Sequence, residues 1–338
     1  MKKKTTCLVT LANIVLTSCV SQPTTDLTCE EVIRLTWGTQ ENEVGFDSDD
    51  SFDTAHKVLV DEVGNILILD SYNDRVTKFS SSGDFQNTIE IPDLPEFANE
   101  HIEDIALGVE NQINAAISAP VTFDGKTAEA YSAIYVFDSD GGFLYPVSDW
   151  RDSAGFAQRI EHGLQYQVPF HYLAGSLSGE AYSIWATGSI TQYNPQGIST
   201  QIYNRRWLDV ISGWDNFLYV VGGEPGGNTF LLQYEHLDAR LVERIDLDSW
   251  TSVRTQPPRD ILVGVDYKGN LYFERYDEES KEMSMIILDQ DGDLVAEVTL
   301  PNRLAFVGQH GGFYLFAYDA NDIPSQPFSI TRCNSPLH

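Results

Sequence analysis

The sequence predicts an all-β fold, a six-bladed β-propeller. Two observations carry the prediction: a strand-and-turn skeleton that recurs along the chain, and strands whose two alternating faces are both apolar. A third, a spare strand near the N-terminus, predicts how the ring closes. The clearest copy of the skeleton is Gly64 to Phe85, GNILILDSYNDRVTKFSSSGDF. Gly64-Asn65 opens one strand, the polar run Asp70 to Asp74 turns it into a second, and Ser80 to Gly83 turns that into a third. Gly, Asn, Asp and Ser accept turn dihedrals at little cost, so each polar cluster between apolar runs marks a hairpin.

With Gly64 as anchor, the skeleton recurs at Asn111, Gly179, Asn216, Gly269 and Gly311. The strands after these anchors read INAAIS, AYSIWA, FLYVVG, LYFERY and FYLFAY, and the strands before the six anchors read HKVLVD, EDIALG, HYLAGS, LDVISG, DILVGV and RLAFVG. The anchors lie 47, 68, 37, 53 and 42 residues apart, and the longest gap is too short for two units. It is expected to hold a loop at 120–130 and a polar connection at 149–165. Both faces of Ile66-Leu67-Ile68-Leu69 are apolar, as in a strand covered on both sides. Four-stranded units of this length, sandwiched between neighbours, describe propeller blades. The expected blades are approximately 52–92, 101–148, 168–204, 207–248, 259–300 and 303–333, the last completed by 31–38. A β-sandwich would not explain a repeat along the whole chain, and no segment sustains a helical period.

Gly64-Asn65, Asp70, Asn73, Arg75-Val76, Phe79 and Gly83 resemble the NHL-type blade of six-bladed propellers, many of which are bacterial surface lipoproteins. The other copies keep the skeleton without the Asp-Asn-Arg signature. Asp70 and Arg75 are read as a structural charge pair within the blade.

The N-terminus points to an address. Lys2 to Lys4 precede an apolar stretch, Cys7 to Thr17, too short to anchor a chain across a bilayer. Leu16-Thr17-Ser18-Cys19 resembles the bacterial lipobox, which implies a signal peptide over 1–18, acylation of Cys19, and a polar tether over 19–28. An ordinary secretory signal is the alternative. Removing three lysines takes the formal charge from −29 to −32. This balance opposes nucleic acid and anionic headgroups, while 42% hydrophobic residues require a real core beneath the acid. The acidic loop 39–51 lacks the glycine and terminal Glu of a calcium loop.

The last blade lacks an outer strand, and Glu31 to Gly38, EVIRLTWG, is a strand without a blade. Pairing the two would close the ring and bring Cys29 beside Cys333, the cysteines left once Cys7 departs with the signal and Cys19 is acylated. A disulfide suits an oxidising exterior; two unpaired thiols are the alternative.

Propeller ligands gather at the mouth of the central channel. Eight residues before each anchor stand His56, Glu103, His171, Leu208, Ile261 and Arg303, so His56, Glu103, His171 and Arg303 are the candidate ligand-binding rim. A register one residue later gives Lys57, Asp104, Tyr172, Asp209, Leu262 and Leu304, and a solvated polar rim is the plain alternative. No GxSxG, HExxH, P-loop or CxxC is present, and no catalytic residue is assigned. The six tryptophans suit packing between blades or a sugar platform. The expectation is a monomeric, lipid-anchored extracytoplasmic scaffold in the cell envelope, free of cofactor, that binds a protein, glycan or small ligand. The alternative is a hydrolase or lyase with Ca²⁺ or Zn²⁺ at the channel mouth, as in the lactonase and amidating-lyase propellers that it resembles in architecture.

Overall fold

All six anchors adopt the left-handed backbone: Gly64 (φ 91°), Asn111 (61°), Gly179 (102°), Asn216 (70°), Gly269 (80°) and Gly311 (75°). Only Gly, and with less ease Asn, enters this region cheaply, which is why the anchors are legible in the sequence. The computed structural model describes residues 27–45, 57–90, 101–123, 126–149, 170–185, 189–194, 199–204, 207–223, 229–247, 260–277, 279–317 and 327–337. The expected signal peptide, Cys19 and His56 lie outside them.

Strand β1 (Cys29–Trp37) is followed by the short β2 (Glu43–Val44). The first blade then runs β3 (Val58–Val60), β4 (Ile66–Asp70), β5 (Arg75–Phe79) and β6 (Phe85–Glu90). Blade 2 comprises β7 (His101–Leu107), β8 (Ile113–Phe123), β9 (Lys126–Phe137) and β10 (Phe143–Asp149), and blade 3 comprises β11 (Phe170–Gly175), β12 (Ala181–Trp185), β13 (Ser189–Tyr193) and β14 (Ser199–Asn204). Blade 4 holds β15 (Trp207–Ser212), β16 (Phe217–Gly223), β17 (Thr229–Glu235) and β18 (Leu241–Asp246). Blade 5 holds β19 (Ile261–Val265), β20 (Leu271–Tyr276), β21 (Met283–Leu288) and β22 (Leu294–Leu300). The sixth sheet is ordered β2-β1-β25-β24-β23, from β23 (Arg303–Val307), β24 (Phe313–Ala317) and β25 (Phe328–Cys333). Blades 1 to 5 are antiparallel meanders, whereas in blade 6 β1 runs antiparallel to β25 and parallel to β2. First strands face one another around the channel: β7 with β11, β11 with β15, β15 with β19, β19 with β23, and β23 with β3.

One expectation is corrected. In place of a loop over 120–130, β8 and β9 continue as a long hairpin in which Phe123 pairs with Lys126 and Pro120 sits opposite Glu129. The Pro interrupts the apolar alternation, so the run reads as loop although its backbone stays extended.

Side chains alternate between neighbours as two-sided burial requires. Leu67 and Leu69 pack with Ile102, Ile105 and Ile117 of blade 2, whereas Ile66 and Ile68 pack with Ile33, Phe328 and Ile330 of blade 6. In blade 5, Leu271 and Phe273 face blade 4 while Tyr272, Met285 and Ile287 face blade 6. Among the described residues every joint between adjacent blades has such a cluster, the 2–3 joint being built of Ala106, Ala116, Ile134, Leu173 and Ala181. Each fully buried aliphatic or aromatic side chain in them contributes roughly 1.5–3 kcal/mol.

The ring closes as expected, with β1 antiparallel to β25 and Cys29 opposite Cys333, joined by a disulfide across 304 residues of sequence. In the chain-entropy account a loop of that length destabilises the unfolded state by about 5–6 kcal/mol at most. The segment after β1 is held by the Asp-Asn-Arg signature of blade 1. Arg75 pairs with Asp70 at 3.1 Å and donates to the carbonyls of Thr39 (3.3 Å), Gln40 (2.7 Å) and Glu43 (2.8 Å). Asn73 donates to the Gly38 carbonyl at 3.0 Å, and the Gly45 amide donates to Asp70 at 3.0 Å. The pair is therefore more than an internal hairpin contact: it latches the chain that completes blade 6 onto blade 1. The side chains of Asp70 and Arg75 are 1% and 8% exposed, so removing one leaves the other charged and unmatched. Arg75→Ala is expected to lower unfolding free energy by about 3–5 kcal/mol, read by urea denaturation; a loss below about 1 kcal/mol refutes the latch.

Candidate functional site

The channel has two unlike ends. At one, here the turn end, the six anchor hairpins join the first and second strands of each blade. At the other, the bulge end, the first strands begin. Five of these six strands carry a register irregularity against the second strand, between Ile102 and Asp104, Phe170 and Tyr172, Trp207 and Asp209, Leu262 and Gly264, and Leu304 and Phe306. A bulge leaves one residue unpaired, bends the strand and re-aims side chains. The skipped residues are Glu103, His171, Leu208, Val263 and Ala305. Glu103, His171 and Leu208 belong to the rim column anticipated from sequence; in blades 5 and 6 the bulge falls two residues later, so that column is not one structural level.

The bulge-end polar groups act as joints. Asp104 on β7 accepts from the Leu173 amide at 2.5 Å and the Ile105 amide at 2.8 Å, and it pairs with Lys57 at 2.9 Å. Lys57 also donates to the Leu173 carbonyl at 3.1 Å, so one ion pair ties three blades. Asp209 of blade 4 accepts from the Leu262 amide of blade 5 at 3.3 Å. Glu274 of blade 5 accepts from the Leu304 amide of blade 6 at 2.6 Å; burial pushes its carboxyl above the ordinary range, opposed by Arg303 and by that amide. These carboxylates accept from amides of first strands, which are the inner edges of their sheets and have a ladder neighbour on one side only. Glu103 and Arg303 are exposed at this end, and Arg303 reaches Glu274 at 3.4 Å. His56 and the His171 side chain fall outside the described residues. Among the described residues no three His, Cys, Asp or Glu side chains gather as a metal-binding group.

Between the ends lies a cavity of about 280 Å³. All six first strands or the turns that follow them line it, mainly with aliphatic side chains such as Val58, Leu107, Leu173, Ile211, Val263 and Val307. Lys57 and Asp209 stand at its bulge end. Trp214 crosses the turn end: its amide donates to the Val265 carbonyl of blade 5 at 3.1 Å, and its indole Nε1 donates to the Val307 carbonyl of blade 6 at 3.0 Å. Beyond Trp214, at the seam of blades 1 and 6, a second cavity of about 550 Å³ is lined by Asp61, His310, Tyr314 and Arg332.

A further polar cluster is buried in the joint between blades 3 and 4. His236, 1% exposed, has Nδ1 2.5 Å from the Tyr182 hydroxyl and Nε2 3.1 Å from the Ser212 hydroxyl. Gln192 donates to the Tyr182 oxygen at 3.2 Å and to the His236 carbonyl. Glu180 accepts hydroxyl bonds from Ser176 (2.5 Å) and Ser178 (2.6 Å). Burial works against its charge, yet these bonds hold its carboxyl below the ordinary range. Sequence reasoning missed this cluster, whose members come from β12, β13 and β15 and from the turns after β11 and β17, with no spacing to mark them.

No protein-family model matches the chain, and no curated protein does. Solved structures show the fold. A luciferin-regenerating enzyme has a TM-score of 0.53 at 10% identity, over 92% of this chain and 96% of that one. Regucalcin, a calcium-binding protein from Agrobacterium tumefaciens, has a TM-score of 0.51 at 12% identity, over 90% and 95%. A streptogramin B lyase covers 93% of this chain and 100% of its own at 12% identity, with a TM-score of 0.48. The chain is a six-bladed β-propeller. At these identities the likeness speaks for the fold alone.

Burial depresses the His236 pKa from 6.5 to about 4, against the opposing pull of Glu180. The folded protein thus binds this proton less readily than the unfolded chain. The stability it contributes is complete above about pH 6.5 and is lost as pH falls through about 4. At about 1.4 kcal/mol per unit, the advantage of wild type over His236→Gln is expected to shrink by up to about 3 kcal/mol between pH 7 and pH 4. Urea melts of both proteins at each pH test this, and a constant difference refutes it.

Proposed function

We propose that this propeller is a lipid-anchored, extracytoplasmic binding protein whose central cavity takes a small ligand, with the bulge end as its docking rim. The supporting observation is the division of labour along the channel. The wall is aliphatic, while Asp104, Asp209 and Glu274 are engaged by strand amides of neighbouring blades. Such a channel is built to bind rather than to move protons. His56, Glu103, His171 and Arg303 are the proposed rim contacts. Cys19 is the proposed lipid attachment, followed by a short tether to Cys29, and the Cys29–Cys333 disulfide suits an oxidising compartment.

Two experiments test this. Incorporation of labelled palmitate in a bacterial host is expected for wild type and absent for Cys19→Ser; equal labelling overturns the anchor. A thermal-shift series with Ca²⁺ and Zn²⁺ is expected to give no stabilisation. A metal shift that disappears in the double variant His56→Ala, His171→Ala supports instead a metal-dependent hydrolase or lyase at the channel mouth.

A further inference from the structure

The cluster around His236 has a direction, and it ends in the cavity. Gln192 Nε2 donates to the Tyr182 oxygen and to the His236 carbonyl, which fixes its amide nitrogen towards both. The Tyr182 hydroxyl is buried and, among the described residues, has the His236 ring nitrogen as the acceptor for its own proton. A neutral imidazole offers one acceptor and one donor. If Nδ1 carried the proton, the Tyr182 hydroxyl would receive two donors and its own hydrogen would be buried without a partner, at about 1–3 kcal/mol. With the proton on Nε2, each group is matched: Gln192 to Tyr182, Tyr182 to Nδ1 of His236, and Nε2 of His236 to the Ser212 oxygen. Burial of the ring keeps it neutral over the physiological range, as this pattern needs.

Ser212 is thereby made an acceptor on its His236 side. Its hydroxyl proton is left to point elsewhere, and Ser212 belongs to the cavity wall. Its surroundings there are apolar: Val210, Ile211, Val263, Val265 and Phe306 line the same space. A charged ligand is disfavoured. The wall solvates charge poorly, Lys57 is committed to Asp104 and the Leu173 carbonyl, and Asp209 already accepts from the Leu262 amide. The volume of about 280 Å³ is nearly twice the roughly 150 Å³ of a protein cavity that holds benzene.

We infer that the central cavity selects a small, uncharged, largely apolar molecule bearing one carbonyl-type acceptor, a ketone, ester or amide, which accepts the Ser212 hydroxyl proton. This rests on the cavity being the ligand site, as proposed above, and adds the chemistry that it recognises. Ser212 is a specificity residue; Tyr182, Gln192 and His236 position it.

The probes are 4-phenylbutan-2-one and butylbenzene, close in size, of which only the ketone has the acceptor. Titration calorimetry with the purified wild-type protein is expected to show saturable binding of both. Ser212→Ala is expected to weaken the ketone about 3- to 10-fold, the worth of one neutral hydrogen bond, and to leave butylbenzene unchanged. Ketone binding that is unaltered in Ser212→Ala, or equal loss for both probes, overturns the role of Ser212 and leaves the cavity as the site. Saturable binding of neither probe overturns the cavity reading itself. Should Ser212→Ala not fold, the carbonyl stretch of the ketone bound to wild type decides: a lower frequency than in hexane supports the hydrogen bond, and a hexane-like value refutes it.

Discussion

A propeller is stable only as a closed ring, because each blade is apolar on both faces and needs a neighbour on each side. Here the requirement falls on one seam, where the two ends of the described chain share blade 6. Three devices meet there. Strand β1 supplies the outer strand through a ladder with β25, Cys29 and Cys333 join its end covalently, and Arg75 with Asp70 clamps the chain beyond it. The clamp explains why the Asp-Asn-Arg signature stands in blade 1 alone: only blade 1 adjoins the segment that follows the closing strand. The most distinctive stretch of the sequence thus serves closure.

The bulges give the channel its polarity. A first strand is the inner edge of its sheet, and near the irregularities a carboxylate of the neighbouring blade takes one of its amides. Asp104, Asp209 and Glu274 do this at three different joints. Between these groups and Trp214 the wall is mainly aliphatic.

What was legible in the sequence follows from the same physics. The anchors stood out because a left-handed turn narrows the choice to Gly or Asn, so Gly64, Asn111, Gly179, Asn216, Gly269 and Gly311 could be aligned by eye. The strands beside them were legible because two-sided burial leaves an unbroken apolar run. The rim was harder to read. A fixed count of eight residues back from an anchor presumes a regular ladder, and the bulge shifts level between Leu208 of blade 4 and Val263 of blade 5. The extended hairpin at Pro120 was hidden by a residue that usually ends strands. The cluster of Tyr182, Gln192, Ser212 and His236 had no sequence signal at all: it exists only where two blades meet, and each member alone is an ordinary polar residue near a strand end.

The disulfide has a mechanical consequence. Residue 28 leads directly into Cys29, at the corner where β1 and β25 begin to pair. A pull arriving along the preceding chain would otherwise unzip β1 from β25 one pair at a time, starting with Cys29 and Cys333 and moving through Glu30 and Arg332. With those first two residues covalently joined, the load passes into β25 and from there into the body of blade 6. The seam that is weakest in topology is therefore covalently closed at the corner where such a load would enter.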